Sequence, residues 1–149
     1  MSEVAPPSRD QMLDLCRRWQ AALGRPDLEA LAGLYAETAE LESPIAGNHH
    51  PGREGVIKAT DAFFSAFPDA SLTFEGPIVD GQRAAIVADV TGKHVGHFMG
   101  MAPTGRPIHF QLVFVLDTRD GLIVRDRRIY DFTGLLLQVG VLKAKPAKS

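Results

Sequence analysis

The sequence is short of cysteine, of charge imbalance and of long apolar runs, and each shortage removes a class of protein. Cys16 is the single cysteine, so no disulfide can form within the chain and packing must hold the core. It shares helical spacing with Met12, Trp19 and Leu23, which gives it a structural place on a buried helix side. Sixteen basic residues stand against eighteen acidic ones, with no long run of either sign. That balance lacks the electrostatic footprint of a protein for nucleic acid or an anionic membrane surface. No apolar run approaches the roughly 20 residues of a membrane span, and the opening MSEVAPPSRD has no apolar signal segment. A cytoplasmic protein with small-molecule or protein partners is expected. No metal site is expected either: His49 and His50 are adjacent, without the one-face spacing of a helical ligand pair or a nearby cysteine. Gly92, Gly96 and Gly100 sit in a strand context that does not lead into a helix, so they form no phosphate-binding loop.

What is present is enough for one core. The chain has 149 residues, 45% of them hydrophobic, which suits a single domain. We place it at residues 8–142, with solvated tails at 1–7 and 143–149. Ser8 and Gln11 have the form of a capping box opening a helix whose stripe is Met12, Cys16, Trp19 and Leu23, ended by Gly24 and Pro26. Asp27 is a plausible N-cap for a second helix through Leu28, Leu31, Leu34 and Tyr35, after which Leu41 to Pro44 reads as a short extended piece. Ile45 to Gly52 is rich in turn formers. Val56, Ala59, Phe63, Phe64 and Phe67 then give a third helix, stopped by Pro68. From Ser71 the pattern changes to strands, over Ser71–Phe74, Arg83–His94, Ile108–Leu116 and Leu122–Phe132, with turns at Asp80-Gly81, Pro103-Thr104-Gly105 and Asp120-Gly121. Three helices followed by an antiparallel meander predict an α+β domain with the helices on one sheet face.

The segment GKHVGHFMGMAPTGRPIHF, followed by a strand, the Asp-Gly turn and IYDFTGLLLQVG, resembles the SnoaL polyketide cyclases of the ketosteroid-isomerase and nuclear-transport-factor-like superfamily. Gly92, His94, Val95, Gly96, Gly100, Met101, Pro103, Thr104, Arg106, Asp120, Gly121, Asp131, Phe132 and Gly134 fit that family's pattern without a gap. The earlier CRRWQAALGRPDLEALAGLYAETAELESP is similar to the first two helices of the ketosteroid isomerases. The resemblance implies a cone: a curved antiparallel sheet wrapped around three helices, an apolar pocket open at one end, and a homodimer. It also implies a different chemistry set. The cyclases' catalytic histidine and aspartate fall on Phe114 and Arg128, and the isomerases' tyrosine and aspartate fall on Trp19 and Ser43. The second isomerase acid falls near Leu112, and the aspartate of the limonene epoxide hydrolases again meets Arg128.

Arg128 stays protonated at any ordinary pH and cannot replace a carboxylate as acid or base. It could hold an anion, and if it points inward its charge needs a partner, for which Asp126, two residues back on the same face, is the nearest candidate. A slip of one residue or a bulge would turn it outward instead. His94 is the candidate proton carrier, against a hydrogen-bonded strand histidine as the plain alternative. Asp131 is more readily a cap of the turn beginning at Thr133 than a catalyst. Trp19, Phe64, Phe98, Phe114 and Tyr130 are the candidate substrate-binding residues, with Met99 beside them, although any could be core packing. Two functions compete. One is a cofactor-free enzyme of cyclase or isomerase type acting on a small hydrophobic carbonyl compound, with Arg128, Asp126 and His94 as the catalytic set. The other is a non-catalytic module binding a small hydrophobic or anionic ligand, or pairing through its sheet.

Overall fold

The computed structural model describes residues 5–45, 51–143 and 145. His49 and His50 lie outside the described residues, as do most of the residues assigned to the two tails. Helix α1 (Arg9–Gly24) opens with the capping box: Gln11 N donates to Ser8 Oγ at 3.1 Å, and Ser8 N donates to Gln11 Oε1 at 2.8 Å. Its stripe buries Met12, Leu15, Cys16, Trp19 and Leu23. Burial pushes the Cys16 thiol pKa up, which keeps it an unreactive apolar filler. Asp27 caps α2 (Leu28–Ala32), a single turn. The second helix therefore ends earlier than its spacing suggested, because Tyr35 already begins strand β1 (Tyr35–Glu42).

Helix α3 (Gly52–Ala66) follows, and then β2 (Ser71–Asp80), β3 (Arg83–Lys93), β4 (Pro107–Arg119), β5 (Leu122–Tyr130) and a short α4 (Phe132–Gln138). The sheet order is β1-β5-β4-β3-β2. Strands β2 to β5 form the expected antiparallel meander, but β1 joins its far edge parallel to β5. The sheet is thus mixed, and the chain reaches that edge before making the third helix. None of the helices among the described residues is long and apolar enough to cross a membrane.

Period-two alternation assigns the faces of the curved sheet. Ile86, Ala88 and Val90 of β3 and Phe110, Leu112, Phe114 and Leu116 of β4 are buried on the concave face. They pack against α1 and α3, with the Trp19 ring meeting Phe114 edge-on at 4.6 Å between centroids. Burying a side chain of this size contributes about 1.5–3 kcal/mol, so this layer fixes the sheet on the helices. At one end the helices do not fill the concavity, and that end holds the site.

Candidate functional site

The unfilled end is a cavity of about 300 Å³. Its floor and walls come from Leu112, Phe114, Arg128 and Tyr130 on β4 and β5, Phe110 and Val90 beside them, and Ala59, Thr60, Phe63 and Phe64 on α3. Ser43 and Ile45 after β1, with His97, Phe98 and Met99 after β3, also line it. Among the described residues that line it there is no aspartate, glutamate or lysine, and Arg128 is the sole guanidinium.

Register decides where Arg128 points. Phe114 pairs with Arg128, Leu112 with Tyr130 and Leu116 with Asp126, so Asp126, Arg128 and Tyr130 share the concave face with the buried residues of β4. Arg128 turns inward, its side chain 11% exposed, over a fully buried Asp126. Nη2 donates to Asp126 Oδ2 at 3.1 Å and to Thr60 Oγ1 at 3.1 Å, and Nε lies 3.4 Å from both carboxylate oxygens. Thr60 Oγ1 in turn donates a hydrogen bond to the Val56 carbonyl at 2.9 Å. On the other side Tyr35 donates to Asp126 Oδ2 at 2.6 Å and accepts from Trp19 Nε1 at 2.9 Å. Arg128 also rests over the Phe114 ring, 5.5 Å from its centroid.

The network is electrostatically closed. Burial works against the Arg128 charge, yet Asp126 beside it and the Tyr35 oxygen raise its pKa above the usual arginine range. Burial, then the Asp126 charge, pushes the Tyr35 phenol well up, so Tyr35 is a hydrogen-bond donor throughout the neutral range. Burial raises the Tyr130 phenol as well, with Arg128 pulling the other way.

Of the residues expected at the site, Arg128, Phe64, Phe98, Phe114 and Tyr130 line the cavity, and Met99 joins them. Three do not. Trp19 is fully buried behind Phe114, where it supports Tyr35. Asp126 lies beneath Arg128. His94 is fully buried just past β3, its Nδ1 3.0 Å from Thr104 Oγ1 and its ring against Phe67 and Phe98. Its backbone exchanges hydrogen bonds with Arg106 and Gly105, so it pins the loop rather than facing the cavity. Asp131 is the N-cap of α4, accepting from Gly134 N at 2.8 Å. Sequence reading passed over Tyr35, Thr60 and His97. Thr60 carried a signal, a polar residue one turn from both Val56 and Phe64 on an apolar stripe. No group of three or more candidate metal ligands occurs among the described residues.

The sequence pattern of the SnoaL-like polyketide cyclases matches residues 13–139. No curated protein sequence matches the chain. Among solved structures, IdmH from Streptomyces antibioticus, a candidate polyketide cyclase, is 31% identical over 87% of this chain and 99% of its own, with a TM-score of 0.71. AclR from Streptomyces galilaeus, a candidate hydroxylase, is 27% identical over 91% of this chain and 100% of its own, with a TM-score of 0.76. A candidate SnoaL-like polyketide cyclase from Jannaschia sp. CCS1 shares the fold at a TM-score of 0.80 and 19% identity, covering 95% of this chain and all of its own.

Proposed function

Since the chain belongs to the SnoaL-like polyketide cyclase family, we propose that it is an enzyme of cyclase or isomerase type, moving a proton on a small hydrophobic carbonyl compound held in the cavity. The observation that carries this reading is Arg128: an inward cation, oriented by Asp126 and Thr60, on the wall of a mainly apolar chamber. Carbonyl chemistry of this kind gathers negative charge on oxygen, and a pre-oriented donor in a water-poor site stabilises it most where the charge develops. Arg128 supplies that donor. Tyr130, two residues along the same strand face and held protonated by burial, adds a phenol hydroxyl to the wall.

The proton itself needs a group that can accept and return it, which a guanidinium cannot do. Asp126 and His94 were the expected carriers, but neither lines the cavity. His97 does, at the mouth, and it is the imidazole among the described lining residues. We assign it that role, with ring nitrogen to substrate carbon or hydroxyl as the route.

The test is deuterium exchange at the acidic carbon of aryl 1,3-diketones, followed by NMR. The wild-type protein is expected to exceed the buffer rate, with Arg128→Gln slowing exchange about 100-fold and His97→Ala slowing it about 10²-fold or more. Exchange at the buffer rate across the diketones, with binding retained, would overturn the enzyme reading and leave a binding module.

A further inference from the structure

The charge balance of the cavity wall bears on which ligands enter, an inference that rests on reading the cavity as a binding site. Arg128 is not a free cation. Its Nε and Nη2 face a fully buried Asp126, with Nη2 to Oδ2 at 3.1 Å, so wall and partner together carry no net charge. Among the described residues no hydrogen bond engages Nη1. Among the described residues no other arginine and no lysine lines the cavity, and His97 sits exposed at its mouth, where water screens it.

We propose that the cavity selects uncharged ligands bearing a carbonyl or hydroxyl oxygen and rejects carboxylates, and that Asp126 is the residue that sets this preference. A carboxylate leaving water for an apolar chamber needs a net positive partner to offset its desolvation. Arg128 is already compensated, and the incoming anion would also feel Asp126 from just below the wall. A ketone, amide or phenol asks only for one N–H donor and loses far less on leaving water. The developing oxyanion of a reacting ketone differs from a carboxylate in the same way: it forms in place, with only part of a charge, at the positive end of the Arg128–Asp126 dipole. Asp126 thus lets a cation stand in the wall without turning the chamber into an anion trap.

Three near-isosteric probes test this by titration calorimetry: 2-acetylnaphthalene, 2-naphthamide and 2-naphthoate. For the wild-type protein at neutral pH, ketone and amide are expected to bind at least about tenfold more tightly than naphthoate. The gap should narrow as the pH falls toward the ordinary carboxylic acid range near about 4, because the protonated acid is neutral. Asp126→Asn keeps an acceptor for Tyr35 and Arg128 while removing the charge, and should raise naphthoate affinity about tenfold with a much smaller change for the ketone. Equal wild-type affinity for ketone and naphthoate at neutral pH overturns the proposal, and so does an unchanged preference in Asp126→Asn. Should that variant not fold, the wild-type pH series decides: a naphthoate affinity that does not rise on acidification rejects the selection rule. Failure of all three probes to bind the wild-type protein overturns the binding-site reading itself, and is thereby distinct from a failure of selectivity.

Discussion

Tyr35 joins one hydroxyl to both halves of the molecule, accepting from Trp19 on α1 and donating to Asp126 on β5. Removing it leaves a buried Trp19 N–H without its partner, a loss of about 1–3 kcal/mol. Tyr35→Phe is therefore expected to lower stability by that amount in urea denaturation at neutral pH. The variant should also respond differently to alkali. Burial and the Asp126 charge make the folded chain hold the Tyr35 proton more tightly than the unfolded chain does. That stabilisation is complete below the ordinary tyrosine value of 10.0 and declines as pH rises above it. Wild-type stability should fall through this alkaline window and Tyr35→Phe should fall less steeply, with the raised Tyr130 phenol leaving a residual slope. An identical slope in both proteins would rule out Tyr35 as the source. The residues of this network were unequally legible in the sequence. Alternation along RDRRIY offered an inward Arg128 and Asp126, because period two needs only neighbours. Tyr35 was not legible, since its partner lies 91 residues away and nothing local marks the pairing.

Elements failed to be legible where their periodic signal was broken. Tyr35, Ala39 and Leu41 are the buried residues of β1, and a register irregularity between Tyr35 and Glu40 destroys the strict alternation that identifies a strand. With Leu28, Leu31 and Leu34 preceding it at helical spacing, Tyr35 reads as helix. Strand β5 was expected to run to Phe132, but Asp131 caps α4 at that point and the chain turns; Gly134 in the first turn obscures so short a helix. The capping box of α1 and the Asp-Gly hairpin between β4 and β5 were legible because each is complete within a few residues. The loop from His94 to Met101, which carries His97, Phe98 and Met99 to the cavity, is fixed by close approach. Val95 N and Gly96 N both donate to the Ala66 carbonyl at the end of α3, and a Cβ on Gly96 would lie 2.0 Å from the Ser65 carbonyl oxygen. Backbone cannot yield as a side chain tip can. Gly96→Ala is expected to push the loop off α3, lowering stability by about 1–3 kcal/mol and weakening binding of 2-acetylnaphthalene. Gly100→Ala is the control: nothing lies within 4 Å of its Cβ position, and only its φ of +77° opposes the change, a cost of about 1 kcal/mol. Equal effects of the two on ligand affinity would show that the Ser65 contact does not shape the mouth.

At the scale of the whole molecule, the helices cover only the concave face of the sheet. On the convex face Val87 pairs across to Val113, and Val113 to Ile129, so three strands present a continuous apolar stripe. Val87 and Val113 are half-buried, while Ile129 is 56% exposed. The stripe is bordered by polar pairs, the Arg125–Glu42 salt bridge on one side and the His109–Asp89 hydrogen bond on the other. An apolar centre with a polar rim is the anatomy of a protein interface rather than of a solvated sheet. Both pairs are satisfied within one chain, so they can flank a contact without requiring partners across it. We propose that two copies pack these faces together about a twofold axis, which makes one stripe complementary to itself. Helices on one side of each sheet and a second sheet on the other would then cover both faces, while the cavity mouth at the end of the cone stays open to solvent. Sedimentation equilibrium is expected to give twice the 16.2 kDa chain mass. Ile129→Glu, which puts a charge from each copy into the apolar contact, should give the single-chain mass with the fold retained by circular dichroism. A wild-type protein that sediments at the single-chain mass would overturn the pairing, and an Ile129→Glu protein that remains double would move the contact to another face.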